Sequence, residues 1–191
     1  MALFVRQENP PVYSAPGKYK DHLRRDFLQR CAYCERTESY MGGEEAFEVE
    51  HFRPKSKFPD LVCSYSNLYY ACRGCNGHKS ETWPSEEKAS RGQKFADSCV
   101  EDPYVHHLRE REDGGLEALT PCGAYSNSHI RLDRADLRTW RQLRDQARRD
   151  LPRLEAVTRF LEKLPVQDEV AAELSAVRRH IAETKIRFSI A

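Results

Sequence analysis

The chain has 191 residues, 39% hydrophobic and 10% aromatic, enough for one medium domain, or a small domain with a helical extension, built around its own core. Lys+Arg 31 against Asp+Glu 30 leave a net charge of only +1, which excludes a global field drawing the chain to nucleic acid or a membrane; any nucleic-acid contact has to use local basic patches. The absence of a run of about 18 apolar residues excludes a transmembrane helix. With no apolar stretch after the N-terminus to act as a signal peptide, the expected compartment is the reducing cytosol.

Residues 1–18 hold three prolines and few apolar side chains, which predicts an extended N-terminal arm laid over the domain. From Tyr19 to Arg30, Leu23, Phe27 and Leu28 recur at near-helical spacing and predict a short amphipathic helix that delivers Cys31 and Cys34. Gly42-Gly43 marks a turn, after which AFEVEHF alternates as a half-buried strand, with Phe47, Val49 and Phe52 inward and Glu48 and Glu50 outward. Pro54 and Pro59 bracket a basic loop, SNLYYAC supplies a second strand with Asn67 at its entry, and a helix is expected from about Arg73 to Glu81, ended by Trp83-Pro84. This core is placed at 19–84.

Residues 85–98 read as an exposed loop, and Gly114-Gly115 between a charged and an apolar run predicts a hairpin, so 85–130 is a loop and hairpin region. From Asp133, Leu137, Trp140, Leu143, Ala147, Leu151, Leu154 and Leu161 follow the helical period, with Pro152 expected to kink or divide the run and Pro165 to end it. A last helix from about Asp168 to Ile186 completes a helical C-terminal extension at 131–191.

Chemistry concentrates between Cys31 and Trp83. Two C-x-x-C pairs, Cys31/Cys34 and Cys72/Cys75, have the spacing at which tight turns present four thiolates to one structural zinc; the alternative is four ordinary buried or redox-active cysteines. Cys63, Cys99 and Cys122 lack such partners and read as free buried thiols, with a second metal site using His106, His107 or His129 as the minor alternative.

Phosphodiester hydrolysis needs a base for water, a cation for the charge that grows on phosphate, and positive groups to seat the backbone. His51 suits the base, Glu50 and Asn76 offer oxygens to Mg²⁺ or Mn²⁺, and Asn67 suits hydrogen bonds that hold the loop and orient His51. Arg53, Lys55 and Lys57 follow the base, and Arg73 and Lys79 flank Asn76, so phosphates meet cations from both sides. An arginine face on the long helix (Arg134, Arg138, Arg141, Arg144, Arg148, Arg149) is a backbone-tracking surface, a solvated face paired with Asp136, Asp145 and Asp150, or a docking surface for a protein partner. Taken singly, a Glu-His pair at a strand end is more often a surface polar pair, and an Asn before a strand more often caps a turn; only their joint spacing with the cysteines carries the catalytic reading.

Glu50-His51-x-x-Pro54, Asn67-Leu68 and Cys72-x-x-Cys75-Asn76-x-x-Lys79 together resemble the signature of the HNH endonucleases. The resemblance implies an α+β fold: a zinc-bound ββα-metal core with, here, an added hairpin and C-terminal helices. It places the acidic metal ligand at Glu50, where Asp is more usual, the general base at His51, the central Asn at Asn67 and the last metal position at Asn76, with His78 as a substitute ligand. Glu101-Asp102-Pro103, the later glycine turn and Leu132-Asp133-x3-Leu137-x3-Arg141 are similar to the HNH effectors of Septu-type anti-phage systems, which also occur with retrons. That similarity implies cleavage of DNA in defence beside an ATPase partner. The alternatives are a stand-alone restriction-like HNH nuclease and a zinc-binding interaction module without catalysis.

Overall fold

The computed structural model describes residues 1–164 and 168–190; the expectation that Pro165 ends the long helix lies outside the described residues. The chain enters through an irregular segment whose Phe4, 1% exposed, stacks at 4.9 Å on Phe27 and so belongs to the core despite the lack of regular structure around it. A 3₁₀ turn, Pro16–Tyr19, leads into α1, Lys20–Asp26, which is shorter than its apolar spacing predicts. Leu28 and Gln29 adopt left-handed backbone (φ 53 and 57), which ends the helix, turns the chain toward Cys31 and leaves Leu28 exposed rather than in the core.

After α2, Glu38–Met41, the Gly42-Gly43 turn feeds β1, Phe47–His51, which pairs antiparallel with β2, Leu68–Cys72. The register sets Phe47 opposite Cys72, Val49 opposite Tyr70 and His51 opposite Leu68. β-Branched and aromatic side chains fill this hairpin, and Phe47–Tyr70 and Phe52–Tyr69 stack at 4.9 and 4.8 Å. α3, Arg73–Lys79, follows β2 without a linker, so Cys72 caps the helix whose first turn carries Cys75. It ends at Ser80, whose φ of 46 breaks the helix before Trp83-Pro84 is reached. The β1–β2–α3 unit against α1 is an α+β arrangement.

The 85–98 stretch departs from the exposed loop expected of it: Ser85 caps α4, Glu86–Ser90, and Phe95 is buried against Trp83 and Tyr125 at centroid distances of 6.2 and 5.0 Å. A single buried aromatic in a polar run has no period to reveal it. The next short helix, α5, Pro103–His106, begins at Asp102, which caps it. The hairpin is β3, Leu108–Glu110, with β4, Leu116–Ala118, and Gly114 supplies its left-handed turn residue at φ 72. Beyond it, α6, Pro121–Ile130, was not signalled by apolar spacing; its signal is local, Thr120 capping the amide of Gly123 and Pro121 at the first turn.

α7, Ala135–Leu161, runs as one helix through Pro152, which neither ends nor divides it, with Leu137, Trp140, Ala147 and Leu151 buried while Leu143 is exposed. α8, Asp168–Phe188, returns antiparallel, as the ion pairs Glu155–Lys185 and Glu162–Arg178 require. Its end is tied to the first cysteine turn: Thr37 donates to the Arg187 carbonyl at 2.6 Å and Phe188 packs on Tyr40 and Trp140.

Candidate active site

The four paired cysteines meet. Their sulfurs all lie within 4.8 Å of one another, all four residues are buried, and Cys34 Sγ to Cys72 Sγ is 3.8 Å. A tetrahedron with zinc–sulfur bonds of about 2.3 Å has edges of about 3.8 Å, so the donor set fits a closed structural zinc site. Hydrogen bonds from the neighbouring thiols hold the Cys72 thiol far below its ordinary value. Arg134 Nη2 donates to Cys75 Sγ at 3.4 Å and Arg36 Nη2 approaches Cys72 Sγ at 3.9 Å, while Asp136 bridges both guanidinium groups at 2.9 and 3.0 Å. Two cations against four sulfurs are the charge complement of a thiolate-bound dication. Of the unpaired cysteines, Cys122 is buried and Cys63 and Cys99 are half-buried. His107 is bonded to Glu101 and Thr120 and His129 to the Tyr125 carbonyl, and among the described residues His106, His107 and His129 belong to no metal-ready cluster with a cysteine.

Between β1 and α3, the helix whose first turn carries Cys75, lies a cavity of about 260 Å³ lined by Val49, Glu50, His51, Lys55, Asn76 and Ser80 among others. A larger groove, about 730 Å³, runs between the second hairpin and α7, but its walls are surface charges and amides such as Glu112, Gln142 and Arg149. The smaller cavity is where acid, imidazole and amide converge.

His51 ends β1 with its Nε2 3.0 Å from the Val62 carbonyl. A carbonyl only accepts, so Nε2 carries the proton, and in the neutral ring Nδ1 keeps the basic lone pair. Burial pushes His51 below its ordinary pKa, Lys55 and Lys79 add to the shift, and the Val62 bond opposes it. Asn67, 5% exposed, fastens the loop that brings Val62 to His51. Its Oδ1 accepts from the Arg53 amide at 2.9 Å, and Nδ2 donates to the Arg53 and Leu61 carbonyls at 3.0 and 3.3 Å.

Glu50 departs from the outward position that strand alternation assigned it. It is 4% exposed because α3 covers that face of β1. Its Oε1 takes hydrogen bonds from Lys79 Nζ at 2.5 Å and from the Tyr33 hydroxyl at 3.3 Å. Burial raises the Glu50 carboxyl above its ordinary pKa against the pull of Lys79. Lys79, expected beside the phosphates, is instead 0% exposed and paired with Glu50. Asn76 Nδ2 donates to Glu48 Oε2 at 2.8 Å, so its amide oxygen is the atom not committed to Glu48. Glu48, Tyr33 and Val62 were not singled out by sequence. The available signal was a matched pair of periods: Glu48 and Glu50 share a strand face, Asn76 and Lys79 share a helix face, and the two faces meet rung on rung.

A hard cation that keeps several waters and takes one carboxylate and one amide oxygen fits Glu50 and Asn76 in one cavity. His78 does not line it. Arg53, Lys55 and Lys57 are exposed on the adjoining loop, Arg53 lying over Phe58 and Trp83, and Arg73 is exposed but paired with Glu48 at 3.3 Å. The arginine face of α7 is mostly spent inside the protein. Arg134 serves the cysteine cluster, Arg138 binds Asp133, Arg141 donates to Gly114 and Leu132 carbonyls, and Arg144 binds Glu110. Arg148 pairs with Asp145 and Arg149 with Gln146 at the surface, so these arginines divide between buried partners and solvated pairs and do not form one solvated face.

Residues 31–82 match the sequence model of the HNH endonuclease family. The chain is similar to the Septu protein PtuB of Bacillus mycoides (strain KBAB4), with 29% identity over 122 residues covering 51% of this chain and 40% of that protein. It is also similar to the Septu protein PtuB of Bacillus thuringiensis, with 43% identity over 54 residues covering 26% of this chain and 19% of that one. The matches span less than half the length of either relative. Among the described residues no helix is long and apolar enough to cross a membrane. The paired cysteines, the β1–β2–α3 unit and the matched segment coincide, and the chain thus carries at residues 31–82 a domain of the HNH endonuclease family.

Proposed function

We propose that this protein is a metal-dependent endonuclease that hydrolyses DNA phosphodiester bonds, acting in the cytoplasm in anti-phage defence beside an ATPase partner. The observation that carries the reading is His51, anchored through Nε2 by the Val62 carbonyl inside the cavity it shares with Glu50 and Asn76. With Nε2 committed, Nδ1 is the atom that takes a proton from water. Glu50 and Asn76 hold Mg²⁺ or Mn²⁺, which when bound neutralises charge developing on the scissile phosphate and leaving oxygen. Arg53, Lys55 and Lys57 seat the flanking phosphates and Arg73 approaches from the other side. The four cysteines bind zinc and keep Tyr33 and α3 in register with β1. The defence role and the ATPase rest on the similarity to the Septu proteins.

One observation favours the non-catalytic zinc module: Glu50, the expected metal ligand, already has a buried counter-ion. Plasmid nicking in Mg²⁺ or Mn²⁺, with EDTA as control and any ATPase encoded beside the gene supplied, separates the readings. Cleavage that EDTA stops and His51→Ala abolishes, with zinc content and thermal stability retained, is the expected result. Full cleavage by His51→Ala sinks the assignment of the base, and no cleavage by the wild-type protein with its partner leaves the zinc module.

A further inference from the structure

Lys79 occupies an unusual position for an ammonium group. Its side chain is 0% exposed at the floor of the candidate site. Nζ lies 2.5 Å from Glu50 Oε1, donates to the His51 carbonyl at 3.0 Å, and sits 5.4 Å from the centroid of the Phe95 ring. One cation therefore touches the side chain of the proposed metal ligand and the main chain of the proposed base. A lysine is rarely buried without such partners, and a buried ion pair is weak support for the stability of a hairpin by itself.

We propose that Lys79 is a positioning residue of the nuclease site, which clamps Glu50 Oε1 and the His51 carbonyl so that Glu50 Oε2 is presented to the cavity. Three observations support it. Among the described residues both side-chain hydrogen bonds to the Glu50 carboxylate, from Lys79 and from Tyr33, end on Oε1, and the His51 amide adds a backbone contact to the same carboxylate. Glu50 still lines the cavity that His51 and Asn76 line. The clamp is also built from both cysteine turns: Tyr33 lies between Cys31 and Cys34, and Lys79 lies one helical turn beyond Cys75, so a structural zinc holds the two donors in one frame. The expected phosphate contact of a nuclease lysine is thereby replaced by a role beneath the metal ligand. The pairing that favours an idle Glu50 becomes, on this account, what aims it.

The inference rests on the reading of Glu50 as a metal ligand, and its test does not depend on cleavage. Mn²⁺ binding to the zinc-loaded, DNA-free protein is followed by electron paramagnetic resonance for wild type, Lys79→Met and Tyr33→Phe, with zinc stoichiometry and melting temperature recorded for each. Loss of a supporting contact to a ligand weakens metal binding by about 10–100-fold, and that is the expectation for Lys79→Met. Removing a like charge alone acts in the opposite sense and tightens Mn²⁺ binding; tightened or unchanged binding overturns the proposal. So does a wild-type protein that takes up no Mn²⁺. If Lys79→Met fails to retain zinc, Tyr33→Phe carries the test: weaker Mn²⁺ binding supports the clamp and unchanged binding refutes it.

Where wild type cleaves, Lys79→Met is expected to lower kcat with the KM for DNA held. A raised KM and a shallower salt dependence with Mn²⁺ binding intact would make Lys79 a phosphate contact instead. Wild-type Mn²⁺ binding that Lys79→Met weakens, without cleavage by either, leaves the clamp standing and removes the nuclease reading. Cleavage by wild type with Mn²⁺ binding indifferent to Lys79 does the reverse.

Discussion

Replacing Asn67 by Ala removes three hydrogen bonds between a buried amide and the loop that follows β1, stranding the Arg53 amide and the Arg53 and Leu61 carbonyls. Each such bond contributes about 0.5–1.5 kcal/mol net, and a partner left buried costs about 1–3 kcal/mol. Arg53 is exposed, so water relieves part of that cost, and a total of about 2–4 kcal/mol follows. For a chain of this size that lowers the melting temperature by roughly 4–16 °C. The functional consequence comes through Val62, which lies next to Leu61 and fixes the His51 ring: a slack loop releases Nε2 and the base loses its orientation. Denaturant unfolding in zinc-replete buffer measures the first effect, hydrogen exchange at the Arg53 amide the local one, and plasmid nicking the last. Asn67→Asp preserves shape but sets oxygen against the two carbonyls that Nδ2 served, so it is expected to be at least as disruptive as Ala. A variant within about 0.5 kcal/mol of wild type, with unchanged protection at Arg53, would refute the idea that Asn67 holds this loop.

Cys72→Ser is expected to lose zinc and unfold the 31–82 segment before any question of activity arises, because the cluster ties the first cysteine turn to the N-terminus of α3; the zinc content of purified protein and far-ultraviolet circular dichroism check it. Arg134→Met removes the donor to Cys75 and one arm of the Asp136 bridge, so zinc should pass to a chromogenic chelator about tenfold or more faster, with Arg134→Lys intermediate. Equal release rates for the three proteins would mean that the guanidinium does not support the thiolates.

The long helices, the two hairpins and the cysteine pairing could be read because each leaves a local mark: a period, a paired glycine, or a C-x-x-C spacing. The convergence of Glu50, His51 and Asn76 was also legible, as residue types at a set of spacings. Three things were not. Phe95 is buried by a single contact set in a polar run, Leu28 is expelled by a left-handed backbone, and α6 is declared only by its cap. The arginines of α7 look alike along the helix, and only their partners decide that Arg134 serves sulfur, Arg141 serves carbonyls and Arg148 faces solvent with Asp145.

Sequence by itself determined which reactive groups the segment offers, since a thiolate, an imidazole or a carboxylate has its character as a ligand or base from its own chemistry. Tertiary structure alone decided which of two like charges meets the amide of α3 and which meets its buried cation. Glu48 and Glu50 share a strand face, Asn76 and Lys79 a helix face, and nothing local orders the four. The register of α3 on β1, set by Cys72 and Cys75 at the helix start, gives Asn76 to Glu48 and Lys79 to Glu50, and so turns an expected surface cation into a buried one. Long-range packing was needed to decide this because the fate of a charge depends on the dielectric and the partners around it, and neither is a property of its neighbours in the chain.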